Sequence, residues 1–191
     1  MIFPLPAPAW TALVLLAVFA VVELAALIRR GRATSRARQE LASMLAIGSC
    51  ALVWVASVAE AAWWGWPDGR GALPALTGWP GALILALGVG LRAVAFLHLG
   101  RFYDPAVTLH DDHQLITTGL YRYARHPLYA GSLYLFLGFP LAFSSAAGLA
   151  LFFVLPVPVF AWRIRVEERA LAERFGDAWR DYARRTPALF I

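Results

Sequence analysis

Arg163 and Glu167 stand four residues apart near the start of a charged C-terminal segment, a spacing that puts both on one helix face. An arginine can grip a carboxylate or phosphate through two parallel N–H bonds, and a carboxylate suits a cationic ligand. A plain helix salt bridge, worth roughly 0.3–0.5 kcal/mol, is the competing account. On this reading Glu168 and Arg165 point elsewhere. A second concentration of reactive groups runs from Gly119 to Gly131, with two Arg, one His and three Tyr. Pro127 within it lacks a backbone donor and disfavours the helical region for His126. That proline suits the first turn of a following helix, so His126 is held at a helix entrance, where free N–H groups point outward. Tyr and Arg also mark the headgroup level of a membrane, and an interfacial anchor is the alternative.

Other candidates carry less. His110-Asp111-Asp112-His113 has loose spacing for a metal, without a cysteine or an HExxH-type pattern, and reads better as a solvated turn or a backbone contact. No metal site is assigned. His98 lies near the end of an apolar run and reads as an interfacial or core histidine. There is no GxGxxG, P-loop or GxSxG, so a nucleotide-like cofactor would be held in another way.

These groups are carried by membrane-spanning sequence. The 191 residues are 60% hydrophobic and 15% charged, with a mean hydropathy of +0.62, more apolar surface than a soluble domain can hide. The chain reads as an all-α integral membrane protein of one domain. Its basic residues are all Arg, and the net charge of +5 follows membrane topology and not a nucleic-acid partner. A single cysteine, Cys50, excludes an internal disulfide.

Apolar runs cover about Trp10–Ile28, Leu41–Trp64 and Trp79–Leu99, each long enough to span. The first has no basic n-region before it and no convincing cleavage site, and reads as a retained span. Two shorter runs, about Leu128–Phe143 and Ala146–Trp162, are joined by Ser144-Ser145 as a helical hairpin, with kinks expected at Pro140, Pro156 and Pro158. About five transmembrane helices result, and the Gly65–Gly78 stretch between the second and third is a loop with interfacial aromatics.

The topology follows from arginine. Fifteen of the 17 basic residues fall on one side, leaving Arg70 on the other and Arg92 inside a span. The positive-inside rule makes that side cytoplasmic, with the N-terminus outside and the C-terminus inside, as in a bacterial inner membrane. Residues 1–99 form three N-terminal spans; residues 100–191 hold the connection, the hairpin and a C-terminal helix. That helix is expected over about Arg163–Arg185, with Leu171, Phe175, Ala178, Trp179 and Tyr182 on one face, lying on the membrane or capping the connection.

Glu23, Glu60 and Arg92 lie within or near the ends of spans, where an ionised group costs roughly 2.5–3.5 kcal/mol at the centre. Interhelical pairing, such as Arg92 with one of the glutamates, is expected; a polar patch in a substrate cavity is the functional alternative.

The C-terminal half resembles the isoprenylcysteine carboxyl methyltransferase family and its bacterial and archaeal relatives. The resemblance covers roughly Leu99 to Pro187. Its elements occur in the family's order: His113-Gln114-Leu115-Ile116, Gly119-Leu120-Tyr121, Arg125-His126-Pro127-Leu128-Tyr129 with Gly131, then Arg163, Glu167-Glu168, Leu171, Phe175-Gly176, Trp179 and Tyr182. It implies a site for S-adenosyl-L-methionine (SAM) built without a Rossmann fold. Carried over residue by residue, the cofactor would be held by His113, Gln114, Leu115, Ile116, Tyr121, His126, Pro127, Leu128, Tyr129 and Glu167. Arg163 would face the substrate's carboxylate, and Arg163 and Glu167 would be the catalytic pair. Where the family often carries a polar residue before the His-x-Leu segment, this chain has Pro105-Ala106-Val107.

The implied function is methyl transfer to a lipidic or carboxylate-bearing acceptor, a small molecule or lipid reached from the bilayer. The residues show no committed base, which favours an oxygen or already anionic nucleophile over an amine or thiol. Three alternatives stay open: a phospholipid or small-thiol methyltransferase on the same site, an NADPH-dependent sterol-reductase-like enzyme, and a non-catalytic scaffold whose motif is only an anchor.

Overall fold

The computed structural model describes residues 7–29 (backbone alone for 22–29), 48–63, 78–100 and 115–190. Its elements in chain order are α1 (Ala7–Arg29), α2 (Leu52–Trp63), α3 (Trp79–Leu99), a 3-10 turn (Gly119–Arg122), α4 (Pro127–Ala142), α5 (Ala146–Val154), α6 (Pro156–Phe175) and α7 (Asp177–Arg185). No strand occurs among the described residues, as the apolar, turn-bounded runs predict. The basic run after Arg29, the loop before Gly78 and the stretch His110–Gln114 lie outside the described residues.

The centre is α4, which contributes to two apolar clusters. On one side Leu135, Phe139 and Ala142 meet Ala9 and Ala12 of α1 and Ala82 and Leu85 of α3. On the other Phe136 meets Cys50, Val53 beside it on α2, Phe152 of α5 and Phe160 of α6. Helix α3 lies antiparallel to α4 at very close range. A Cβ on Gly81 would stand 2.2 Å from the backbone of Ala142, one on Gly88 would stand 2.8 Å from the Gly131 carbonyl, and one on Gly138 would stand 2.4 Å from Leu85 N. Lipid tails are as apolar as the side chains, so helices in a bilayer gain chiefly from such close packing at small residues.

Two described stretches are long and apolar enough to cross a bilayer, Trp79–Leu99 and the run Ala146–Phe175, whereas Ala7–Val21, Leu52–Trp63 and Pro127–Ala142 are shorter apolar helices. The second arm of the expected hairpin is therefore not short. It breaks at Leu155, ahead of Pro156, then continues as α6 beyond Trp162 into the charged segment. Pro156 and Pro158 are tolerated because both fall in the first turn of α6, where the missing donors are not needed.

The expected C-terminal helix over Arg163–Arg185 is corrected in the same way. Arg163–Phe175 belongs to α6, Gly176 turns with φ 54°, and α7 starts afresh at Asp177. That restart rotates the register, so Leu171, Trp179 and Tyr182 are buried with Leu115 and Phe175 against them, while Ala178 is exposed. The buried face of α7 meets the described end of the connection at Leu115 and the Tyr121 carbonyl.

Of the expected pairings, that of Glu60 with Arg92 is not made. Glu60 accepts from Ser145 Oγ at 2.5 Å and Ala147 N at 2.8 Å, a carboxylate on the first turn of α5, where the helix dipole favours it. Arg92 donates to Ser132 Oγ at 2.6 Å and to the Leu128 carbonyl at 3.3 Å. The Glu23 side chain lies outside the described residues.

Replacing Gly88 by Ala is expected to cost about 1–3 kcal/mol through overpacking. Gly90→Ala, where nothing lies within 4 Å of the new Cβ, should be neutral or stabilise by up to about 1 kcal/mol. Thermal unfolding of the two variants in detergent checks the contrast; equal melting temperatures would contradict the close-packed seam.

Candidate functional site

Proline chemistry sets the entrance of α4. Pro127 is fully buried at the first turn, and His126 before it leaves the helical region with φ −125° and ψ 58°. The His126 carbonyl accepts the amides of Tyr129 and Ala130, so these first-turn donors are not left open. The amide of His126 donates to the Ala188 carbonyl and that of Arg125 to the Pro187 carbonyl, both at 2.9 Å. The segment after α7 therefore returns to lie along the motif.

Glycine at 119 is required by sterics. Its φ is +60°, and a Cβ there would stand 2.0 Å from Cδ2 of His98, whose Nδ1 is bonded to the Val94 carbonyl at 2.8 Å. The 3-10 turn that follows buries Tyr121, and the Tyr121 carbonyl accepts the Tyr182 hydroxyl at 2.5 Å. Burial pushes the Tyr182 phenol up to about 12, so it remains a donor at neutral pH.

The polar groups form one connected line. Arg163 is 2% exposed; its guanidinium lies 5.7 Å from the centre of the Tyr129 ring, and its Nε donates to the Tyr129 hydroxyl at 3.3 Å. That hydroxyl also meets the Glu167 carboxylate. Glu167 Oε2 lies 3.8 Å from His126 Nδ1. The imidazole stacks on Tyr129 at 5.6 Å and is 4% exposed, with its Nε2 at 3.3 Å from Glu168 Oε1. Glu168 in turn accepts Nε and Nη2 of Arg125 at 2.9 and 2.5 Å.

Glu168 thus points into the site. The helix-face reading that sent it elsewhere is wrong, because Arg125 and His126 arrive from α4's entrance and meet α6 on a second face. The adjacent Glu-Glu pair was the available signal. The hydrogen bond from His126, with those from Arg125, holds the Glu168 carboxyl below its ordinary 4.5 despite burial.

Of the residues expected from sequence, the structure brings together His126, Tyr129, Arg163 and Glu167, with Pro127 at the turn that carries them, whereas the Leu128 carbonyl is bonded to Arg92 of α3. Leu115 packs on the Leu171–Trp179–Tyr182 cluster, and Ile116 beside it is half-buried. His113 and Gln114 lie outside the described residues. Sequence reasoning missed the grip of Arg125 on the end of α7, where its Nη1 reaches the Ala183 and Thr186 carbonyls at 2.9 and 2.5 Å.

A depressed carboxyl stabilises the fold above its unfolded value and loses that contribution as pH falls through the folded one. Wild-type melting temperature is therefore expected to decline as pH drops below about 4.5. Glu168→Gln should flatten that acid limb and cost about 1.5–3 kcal/mol at pH 7, the range for a hydrogen bond to a charged group. A pH series of thermal unfolding on both proteins checks this; parallel acid limbs would refute it.

Comparison with known proteins places this geometry. The protein-S-isoprenylcysteine O-methyltransferase of Schizosaccharomyces pombe is 33% identical over 106 residues, covering 54% of this chain and 45% of its own. Protein-S-isoprenylcysteine O-methyltransferase B of Arabidopsis thaliana is 32% identical over 110 residues, covering 56% of each. The cobalt-zinc-cadmium resistance protein CzcN of Cupriavidus metallidurans is 37% identical over 116 residues, 59% of this chain and 51% of its own. The chain thus spans about half the length of the curated relatives it matches. The solved eukaryotic intramembrane Ras methyltransferase ICMT superposes with a TM-score of 0.62 at 26% identity, over 76% of this chain and 50% of that one. Residues 76–178, which hold α3, the motif around His126, the hairpin and the Arg163–Glu168 helix, match the phospholipid methyltransferase family, and to that family the chain belongs.

Proposed function

We propose that this protein is a membrane methyltransferase that uses SAM and acts on a lipidic or carboxylate-bearing acceptor. The observation that carries the reading is the line Arg163–Tyr129–Glu167–His126, in which a buried guanidinium and a carboxylate both reach one tyrosine hydroxyl. Family membership and the names of the relatives support it.

The residues present suit this cofactor. Glu167 is 30% exposed, within reach of a ligand and of the right sign for its ammonium and sulfonium charges. Tyr129 and the half-buried Leu115 and Ile116 supply apolar and aromatic surface. In this reading Glu167, His126, Pro127, Leu128, Tyr129 and Tyr121 line the cofactor, with His113 to Ile116 completing the wall. When bound, the cofactor supplies an activated methyl group.

The chain's own task is then alignment. His126, pinned between two glutamates and by its backbone, fixes the Tyr129 ring by stacking. Arg163 holds an acceptor carboxylate while leaving one oxygen free to react. Because that guanidinium is almost wholly buried, the grip is stronger than it would be in water, and the gain comes from orienting the reacting atoms. A carboxylate needs no base to remove a proton, which favours it over an amine or thiol.

Five spans are inferred, with the two long apolar runs joined by the three shorter ones, in a single membrane domain. The arginine distribution supports a cytoplasmic active site and C-terminus, with an outward N-terminus, in a bacterial inner membrane.

Calorimetry of detergent-purified protein with S-adenosylhomocysteine and, separately, NADPH tests the cofactor. The first alone is expected to bind, and Glu167→Ala should weaken it about tenfold or more. NADPH binding without the other ligand would move the protein to reductase chemistry, and binding of neither by folded protein would leave an anchoring role.

For the acceptor, labelled methyl transfer to an S-farnesylated cysteine with a free carboxylate is expected, and none to its carboxamide. Arg163→Ala should lower kcat/KM about 100-fold, the scale of removing one partner of a desolvated charge pair. Unchanged turnover and unchanged acceptor KM would end the role given to Arg163.

A further inference from the structure

We infer that Arg92 is a positioning residue, which from inside the membrane part of α3 sets the register of the first turn of α4 and with it the place of Tyr129. The inference rests on the methyl-transfer reading only for what the positioned site does.

The geometry is a closed triangle. Arg92 Nη1 donates to Ser132 Oγ at 2.6 Å and to the Leu128 carbonyl at 3.3 Å, and Ser132 Oγ itself donates to the same Leu128 carbonyl at 3.0 Å. The stem of Arg92 is seated as well as its head. A Cβ on Gly131 would stand 3.0 Å from both the Cβ and the amide nitrogen of Arg92, so the glycine opens the space in which the arginine's own backbone lies. On its far side the guanidinium lies 5.4 Å from the centre of the Phe19 ring on α1. Arg92 therefore ties three helices, and its contacts on α4 fall within one turn, Leu128 to Ser132.

That turn also carries the site. Tyr129 follows Leu128 by about 100° around the helix axis, and its hydroxyl meets Arg163 on α6 while the Leu128 carbonyl and the Ser132 hydroxyl meet Arg92 on α3. The two arginines thus hold a single turn from different sides: Arg163 meets the Tyr129 hydroxyl, and Arg92 meets the backbone that presents it. An ionised group in a span is retained only where it is paired and useful. A purely adhesive residue would bond anywhere along α4, whereas this one bonds the carbonyl adjacent to Tyr129. Serine bonding back to the carbonyl four residues earlier tends to bend a helix, and Arg92 secures both atoms of that bond. A displacement of about 1 Å at an aligned site can cost about 100-fold in rate, so small slippage of this turn is enough to matter.

The test uses the full chain with Arg92→Met, Arg92→Lys and Ser132→Ala, and reads three quantities. S-adenosylhomocysteine affinity is measured by calorimetry and melting temperature by thermal unfolding. Distance between the two sides of the site is read as the yield of short bismaleimide cross-linking between Tyr129→Cys and Arg163→Cys in a Cys50→Ala background, which needs no cofactor. Arg92→Met is expected to weaken S-adenosylhomocysteine about tenfold and to halve the cross-linking yield. Arg92→Lys, which keeps a donor, should return both to within about threefold of wild type, and Ser132→Ala should act in the same direction more weakly.

A loss of melting temperature with affinity and cross-linking unchanged would mean that Arg92 only glues helices, and would overturn the inference. Should Arg92→Met not fold, the yields with Arg92→Lys and Ser132→Ala decide alone: a drop with Ser132→Ala supports positioning, and wild-type yields in both overturn it. If wild-type protein binds no S-adenosylhomocysteine but cross-linking still falls, the methyl-transfer reading fails while the role of Arg92 stands.

Discussion

The Arg125 guanidinium donates to Glu168 on α6 and to the carbonyls of Ala183 and Thr186 at the end of α7, with its face toward the Trp179 ring. Each of these partners has a need that arginine meets. Glu168 is a half-buried carboxylate that requires a cation. The last carbonyls of α7 have no helical donors of their own. A planar fork of five N–H groups serves both at once, which a lysine cannot do. The next residue, His126, is then delivered to the other side of Glu168 and to Glu167. This grip joins α6, α7 and the entrance of α4 through one side chain, alongside the His126 contacts to Glu167 and Glu168 and the backbone bonds to Pro187 and Ala188.

Inside the apolar layer the same entrance is fastened by different physics. There the seam between α3 and α4 works because Gly81, Gly88, Gly131 and Gly138 let two backbones touch. Close approach by small residues and a grip of charged groups thus meet at the first turns of α4. Fastening on both sides would suit the proposed alignment of methyl donor and acceptor.

Much of this was legible in sequence where the determinants are local. Pro127 after His126 announces a helix entrance, and the structure has it there. Apolar runs announce helices, and α3 matches its run from Trp79 to Leu99. That Arg163 and Glu167 both reach Tyr129 agrees with the single helix face their four-residue spacing implies. What escaped was non-local. Glu168 was read as pointing away from the Arg163–Glu167 face because helix spacing cannot foresee a partner that arrives from 43 residues away. Gly176, noted only as part of a motif, ends α6 and resets the face on which Ala178 falls. Nor does spacing reveal that Glu60 would turn to an amide and a hydroxyl at the head of α5 instead of to Arg92, since both solutions satisfy a carboxylate in a span.

The bonds from the Arg125 and His126 amides to Pro187 and Ala188 have a consequence for the order of events in biosynthesis. They close a loop of about sixty residues, and such long closures form late because their entropy must be met before any contact rewards it. The ribosome makes α1 to α6 first, and their apolar stretches can enter the bilayer while the carbonyls that complete the motif have yet to be synthesised. Insertion and competence are therefore separate stages of this protein's life. A nascent chain can already be a resident of the membrane while its binding groups lack their backbone support, and translation that stops before residue 187 leaves an inserted helical bundle without a finished site.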